Sequence, residues 1–373
     1  MMKTNPLKIL RVALDNVAGF PYDFYRMHSE CGDKARLVTL HRNLFNYPED
    51  ICLDLPLPRG SLAKKWRRKK EHALYKTNPQ KSHYFKPKNI AEKLYFSLEY
   101  LTRKGKVRRA IREYNLDDFD IIFYDSGLDF YRNSAQAKKW KAAGKKIILC
   151  YYGSDLRLRG VIREMEELAD ISITAEYDHL ALKPELEFMF YPYDTSELPE
   201  RKEKNDDVCR IVHSPTNRRY RGTETIIEVI EELKKVRDFE FYLLENMPRS
   251  EVLEIKSRCD IGIECTGEYL GITGYGKSGL EMLALGAPVI TSMTEEYSRW
   301  LPENPFVVAN TREELYNKLL ELIDNPDLVQ EKGKASKLWV EKYHGFANVN
   351  RMLYDLLTKY GIIENDRLSS GSR

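Results

Sequence analysis

The sequence predicts an α/β fold organised as two domains, and three observations lead to that reading. Short β-branched or apolar runs alternate along the chain with longer amphipathic stretches, the pattern of parallel sheets wrapped by helices. The alternation stops once, in a polar run at 190–204 that carries Pro192 and Pro199, and then restarts. At 373 residues the chain exceeds what one hydrophobic core commonly covers, so length alone favours two domains of roughly 150–200 residues.

In the first half, strands are expected at 9–14, 35–39, 121–124, 146–151 and 171–174, with helices at 21–30, 91–113 and 135–143. Past the interruption, strands fall at 209–213, 239–244, 260–264, 288–291 and 306–309. Helices cover 223–235 and 249–258, and a third opens near Ser278. Ile226, Ile227, Ile230 and Leu233 place one apolar stripe on the first of these. Thr311 followed by Glu314 reads as a capping box. Phe346, Val349, Met352, Leu353, Leu356, Leu357 and Tyr360 repeat at helical spacing on a last helix, before a polar tail at 366–373. The expected division is 1–195, 196–345 and a terminal segment 346–373.

Apolar types make up 42% and charged types 31%, with 20 Gly and 16 Pro, which excludes collagen-like and disordered classes and predicts a folded, soluble protein. Sixty basic residues nearly cancel 57 acidic ones, so the net charge of +3 gives no global field for nucleic acid. The balance hides a local excess. Residues 59–89 hold eleven Lys or Arg against Glu71, a local charge of +10 that leaves −7 for the rest. Trp66, Tyr75, Tyr84 and Phe85 lie among these cations. The stretch suits an anionic membrane surface, an anionic glycan or a single-stranded nucleic acid, and equally a solvated mobile loop. The six cysteines are scattered without CxxC or zinc spacing, as for reduced thiols in a cytoplasmic protein. The opening residues 1–16 are too interrupted for a signal peptide, and no run of about 18 apolar residues occurs. A cytoplasmic protein, peripheral on the inner face of a membrane, is the expectation.

Residues 271–278 satisfy GxxxxGK[ST], with Gly271, Gly276, Lys277 and Ser278 in the named places, so a P-loop kinase or NTPase is one reading. Against it, the preceding strand ends several residues before Gly271, and no later strand ends in Asp. Both readings share one piece of physics: a Gly-rich turn delivers backbone N–H groups and a helix dipole to a phosphate, and Lys277 adds charge. Gly274, Gly276 and Gly279 are also what a tight turn and close helix packing require. Glu281, in the otherwise apolar helix 278–286, needs a partner: Lys277 at i,i+4, or the hydroxyls of a sugar.

The segment 274–291, GYGKSGLEMLALGAPVIT, resembles the donor site of GT-B glycosyltransferases of the retaining family 4-like type, also called group 1. There a Gly-rich loop opens a helix bearing a Glu and leaving through Ala-Leu-Gly-x-Pro-Val. Residues 213–223, with Arg218, Arg219 and Arg221 before Gly222-Thr223, are similar to that family's basic loop, Arg221 standing where a Lys is usual. Glu245 in 244–248 resembles its base-binding corner, and 151–157 its His-Gly-Ser-Asp loop, with Tyr152 for His. Thr273 stands where the first Glu of the family's glutamate pair would be, which leaves the sugar's identity open.

The resemblance implies two Rossmann-like domains facing across a cleft, with the last helix crossing back to the first domain. It implies a hexosyltransferase-like enzyme that moves a sugar from a nucleotide-sugar donor to a glycan or lipid-linked acceptor with retention. Arg218, Arg219, Glu245, Tyr275, Gly276, Ser278, Gly279 and Glu281 would bind the donor. Arg221 and Lys277 would stabilise charge growing on the leaving diphosphate, with no metal and no cofactor required. Asp155 would orient or deprotonate the acceptor, though an Asx-type turn at Gly153-Ser154-Asp155 accounts for it as well. Asp15, Gly19, Gly153, Ser154 and Arg157 complete the acceptor side, Asp15 and Gly19 at the first strand-to-helix turn. His213, after an apolar strand, reads as a core histidine. A non-catalytic glycan or nucleic-acid binder using 59–89 is the remaining alternative.

Overall fold

The computed structural model describes residues 6–43, 47–55, 61, 65, 89–153, 155–202, 204–267 and 273–364. The basic stretch 59–89, apart from Ser61, Lys65 and Asn89, lies outside the described residues, as do Ser154 and Gly271. The chain divides into two compact units: Met1–Pro192 with Phe346–Arg373, and Tyr193–Gly345.

The first unit is a seven-stranded parallel sheet in the order β3-β2-β1-β4-β5-β6-β7. Its strands are β1 (Lys8–Ala13), β2 (Lys34–Thr39), β3 (Ile51–Cys52), β4 (Ile121–Asp125), β5 (Lys146–Tyr151), β6 (Ile171–Thr174) and β7 (Glu187–Phe188). β4 is buried along its whole length, as a central parallel strand covered on both faces must be. Leu10, Val12, Ile122, Tyr124, Ile147 and Leu149 face Trp140 on one side. The helices are α1 (Phe20–Glu30), α2 (Ile90–Glu113), α3 (Ala135–Ala142), α4 (Arg163–Leu168) and α5 (Tyr177–Leu182). α1 enters from Gly19 at φ 79° with Pro21 in its first turn, and the Asn89 side chain caps α2 by accepting from the Glu92 N–H.

The second unit is a five-stranded parallel sheet ordered β12-β11-β10-β8-β9. Here β8 is Arg210–His213, β9 Glu240–Leu243, β10 Ile261–Ile263, β11 Val289–Thr291 and β12 Val307–Val308. Its helices are α6 (Arg218–Arg221), α7 (Thr223–Leu233), α8 (Arg249–Lys256), α9 (Lys277–Ala284), α10 (Glu295–Trp300), α11 (Arg312–Asp324) and α12 (Pro326–His344). Ile226, Val229, Ile230 and Leu233 of α7 pack on the sheet, and Thr311 caps α11. The terminal helix α13 (Phe346–Lys359) belongs to the first unit. There it buries Val349, Leu353, Leu356 and Leu357, and Tyr354 donates to Asp33 at 2.6 Å.

Seven elements lie outside the pattern that the sequence shows: β3, β7, α4, α5, α6, α10 and α12. β3 and β7 are two-residue strands at sheet edges, too short for a period. The buried face of α12 mixes Gly333, Ser336 and His344 with Val329, Trp339 and Val340, which interrupts its apolar period. Among the described residues no helix is long and apolar enough to cross a membrane.

Both sheets reverse direction once. In the first unit the strands following β1 run one way to β2 and the other way to β4; in the second, β8 and β10 adjoin in the same sense. Helices leave opposite faces at such a point and open a crevice beyond the carboxyl ends of the strands, where open α/β sheets bind ligands.

Candidate functional site

At the reversal of the second sheet, the end of β8 supplies Ser214, the end of β10 supplies Glu264, and α9 begins at Gly276. Glu264 is 2% exposed, and its Oε1 accepts from the Gly276 N–H at 3.1 Å and from Arg221 Nη1 at 2.6 Å. Its Oε2 is buried with no hydrogen-bond partner among the described residues. The two glycines make this approach possible. A Cβ on Gly276 would stand 2.8 Å from Arg221 Nη2, and one on Gly279 would stand 2.8 Å from Glu264 Oε2. The close-packing reading of the Gly-rich turn is therefore realised, around a carboxylate that the motif did not show. The first intrahelical bond of α9 runs from the Leu280 N–H to Gly276 O, so the Lys277, Ser278 and Gly279 N–H groups precede the ladder and face outward from its positive end. Lys277, in the first turn, is buried with its ammonium 5.9 Å from the centre of the Tyr193 ring.

The other donor-side candidates sort by partner. Arg218 forks onto Glu245 at 2.9 Å through both Nε and Nη2, and this pairing holds the Glu245 carboxyl below its ordinary range. Arg219 is exposed on α6. Ser278 Oγ meets Ser214 Oγ at 2.6 Å and accepts from Lys256 at 3.0 Å. Glu281, 5% exposed, is held by Lys256 at 2.8 Å and Arg249 at 3.1 Å. Burial would raise its pKa, but the two cations of α8 win and hold it low. Its carboxylate oxygens are thus taken by α8, a pairing weighed neither as the Lys277 pair nor as the sugar contact.

Tyr275 corrects the expectation of a donor contact. Its ring stacks on Phe306 at 4.7 Å, meets Trp339 edge-on, and its hydroxyl bonds His344 at 3.0 Å, an aromatic core position. Thr273 accepts from the Thr294 N–H at 2.9 Å. His213 is a core histidine as read: Nδ1 bonds Ile263 O at 2.8 Å, Nε2 bonds Thr223 Oγ1 at 2.9 Å, and burial lowers its pKa to about 4. β10 ends at Ile263, well short of Gly271, which keeps the objection to a P-loop standing.

At the reversal of the first sheet, Asp15 and Gly19 lie on the turn after β1, and burial together with Glu49 raises the Asp15 pKa. The buried Asn16 ties this turn down, donating to Pro48 O at 2.7 Å and accepting from the Tyr22 N–H. Asp155 accepts from the Tyr152 and Leu156 N–H groups at 2.8 and 2.6 Å, so its carboxylate is committed to the turn, as the Asx account has it. Gly153, at φ 67°, accepts from His179 at 2.9 Å. Arg157 is engaged internally by Asp178 and Glu176, at 2.5–2.7 Å. That pairing corrects its reading as an anion receptor open to an acceptor.

Beside them lies a network with no counterpart among the candidates. Arg11, fully buried on β1, reaches Asp125 at 2.5 Å and the Tyr152 hydroxyl at 2.6 Å, with the hydroxyl 3.0 Å from Asp125. Its guanidinium lies over Phe24 and Phe123. A signal existed in the sequence: an Arg inside an apolar strand demands a buried anion, and Asp125 ends the neighbouring strand.

Two Rossmann-like units with parallel sheets of seven and five strands define the GT-B fold of glycosyltransferases. Solved structures similar along nearly the full chain include a glycosyltransferase of Rickettsia africae ESF-5, at 14% identity and a TM-score of 0.58, covering 97% of this chain and all of that one. HepE of Anabaena, in complex with UDP and glucose, is 12% identical with a TM-score of 0.56 over 94% of this chain and 99% of its own. An alpha-glucosyltransferase in complex with UDP and a 13-mer DNA is 12% identical at 0.54, over 94% and 100%. No family model and no curated protein matches the sequence.

Proposed function

We propose that the protein is a nucleotide-sugar glycosyltransferase whose donor diphosphate binds at the start of α9. The observation that carries this is the meeting of Arg221, Glu264 and Gly276 at the reversal of the second sheet, where the positive end of α9 begins. Arg221, one-quarter exposed, can turn from the Glu264 carboxylate to a phosphate, and Lys277 adds a second cation. Both stabilise charge that grows on the diphosphate as the sugar's C1–oxygen bond breaks, and the outward N–H groups add fixed dipoles. This is a metal-independent design, in which protein cations take the place a divalent ion would hold. Arg218 and Glu245, at the carboxyl end of β9, flank the site for the nucleoside. Retention, with the acceptor hydroxyl's proton passing to the leaving phosphate, follows the family resemblance. So does a glycan or lipid-linked acceptor presented by the first unit.

Thermal-shift measurements with nucleotide sugars and nucleoside diphosphates, with magnesium and with EDTA, test the reading. A ligand at about 100 times its Kd stabilises by about 2.7 kcal/mol, a rise of a few degrees for units of this size. A nucleotide sugar is expected to give that rise in EDTA, and Arg221→Ala to abolish both the rise and donor turnover. Stabilisation confined to magnesium-ATP would return the P-loop reading in its place.

A further inference from the structure

α2 has two faces of opposite chemistry. Toward the first unit it buries Val107, Ala110 and Ile111. On the same side Glu99 is taken by Arg103 at 2.6 Å and Arg132 at 3.3 Å. The outer face is another matter: Ile90, Leu94, Leu98 and Leu101 are 76%, 60%, 61% and 63% exposed. At 3.6 residues per turn these four fall within an arc of about 80° and run about 16 Å along the axis. Arg108 and Arg112 continue the same line, and Lys93 and Arg109 stand at its margins, all four exposed. Of the three carboxylates in α2, Glu92 is buried, Glu99 is engaged inward, and Glu113 is the last residue. The outer face is therefore apolar along its first half and cationic along its second.

We infer that this face of α2 lies on an anionic lipid bilayer. Ile90, Leu94, Leu98 and Leu101 enter the boundary between headgroups and acyl chains, while Lys93, Arg108, Arg109 and Arg112 meet lipid phosphates. A helix with an aliphatic stripe and cations, but without carboxylates on that side, has the composition of an interfacial helix. Charge selects the occupant. A second copy laid parallel on this face would set arginine against arginine, and one laid antiparallel would set the arginines against the leucines, whereas the negative potential and acyl boundary of an anionic leaflet complement both halves. The 31 residues that precede the helix in sequence, 59–89, carry a further +10. The inference rests on these residues and not on the sugar-transfer reading.

Co-sedimentation of the full chain with phosphatidylcholine vesicles, and with vesicles containing phosphatidylglycerol, tests it. Binding is expected to the anionic vesicles, weakening as salt rises. Leu94→Glu/Leu98→Glu should lower it by about tenfold or more, and Arg108→Ala/Arg112→Ala should lower it and flatten the salt dependence. These side chains point to solvent, and an unchanged melting temperature verifies that the variants fold. The inference fails if the wild-type chain ignores anionic vesicles. It fails equally if Leu94→Glu/Leu98→Glu binds them as the wild type does, which would assign binding to 59–89 alone, or if light scattering shows that the leucines instead hold a dimer together.

Discussion

Glu264 is a buried anion beside the proposed diphosphate site, and this determines what its replacement should do. Its Oε1 occupies the Gly276 N–H and Arg221, two groups that a diphosphate would also use. Glu264→Gln keeps the shape and removes the charge. UDP should then bind several-fold more tightly, because Arg221 is released and like-charge repulsion is gone, while the loss of a buried charged pair costs about 1–3 kcal/mol of stability. Titration calorimetry with UDP and urea unfolding separate the two effects; UDP affinity that is unchanged or weaker would contradict the account. The residues around Glu264 were legible in part. Arg221, Gly276, Ser278 and Glu281 stood out through motif and spacing, but their partners Glu264 and Lys256 did not. The partners come from other elements, and linear spacing says nothing about which strand end meets which helix start.

At the scale of elements, α9 is held from two sides. Lys256 of α8, 1% exposed, binds Ser278 O, Ser278 Oγ and Glu281 Oε2, fixing the first two turns from below. Its far end meets α12, where backbone approaches backbone: a Cβ on Gly333 would lie 2.1 Å from Gly286 O. That carbonyl cannot swing aside as a flexible side chain would. Gly333→Ala should therefore push α12 away and cost about 1–3 kcal/mol, read as a lower urea midpoint with unchanged m-value. If the midpoint is unmoved, the helices are not so closely apposed. α12 illustrates why part of the fold escaped the sequence, since the glycine and serine that let it approach α9 dilute the apolar period by which helices are recognised.

Across the whole molecule, each unit contains a histidine kept neutral by burial. His28 on α1 is fully buried, its pKa driven well below normal by desolvation and then by Arg11, and His213 titrates at about 4. For such groups the unfolded chain binds the proton more readily. Stability is therefore complete above the unfolded value of about 6.5 and is lost as pH falls toward the folded value, His213 alone accounting for about 3 kcal/mol. Both units should lose urea resistance between pH 7 and pH 4.5. The imidazole resonances of His28 and His213 should stay at their neutral positions down to about pH 5. A normal titration of either near 6.5 would remove that contribution.

The sequence by itself determined the α/β class, the parallel sheets and the place of the Gly-rich turn ahead of α9. Each of these follows from local period, turn chemistry or spacing, which are properties of neighbours along the chain. Tertiary structure alone decided that Tyr275 belongs to an aromatic core, that Asp155 and Arg157 are taken by their own unit, and that Glu264 and Arg11 sit where the two sheets reverse. A buried charge takes its meaning from the partner that removes it from water, and those partners are joined by strand order, which no local pattern encodes.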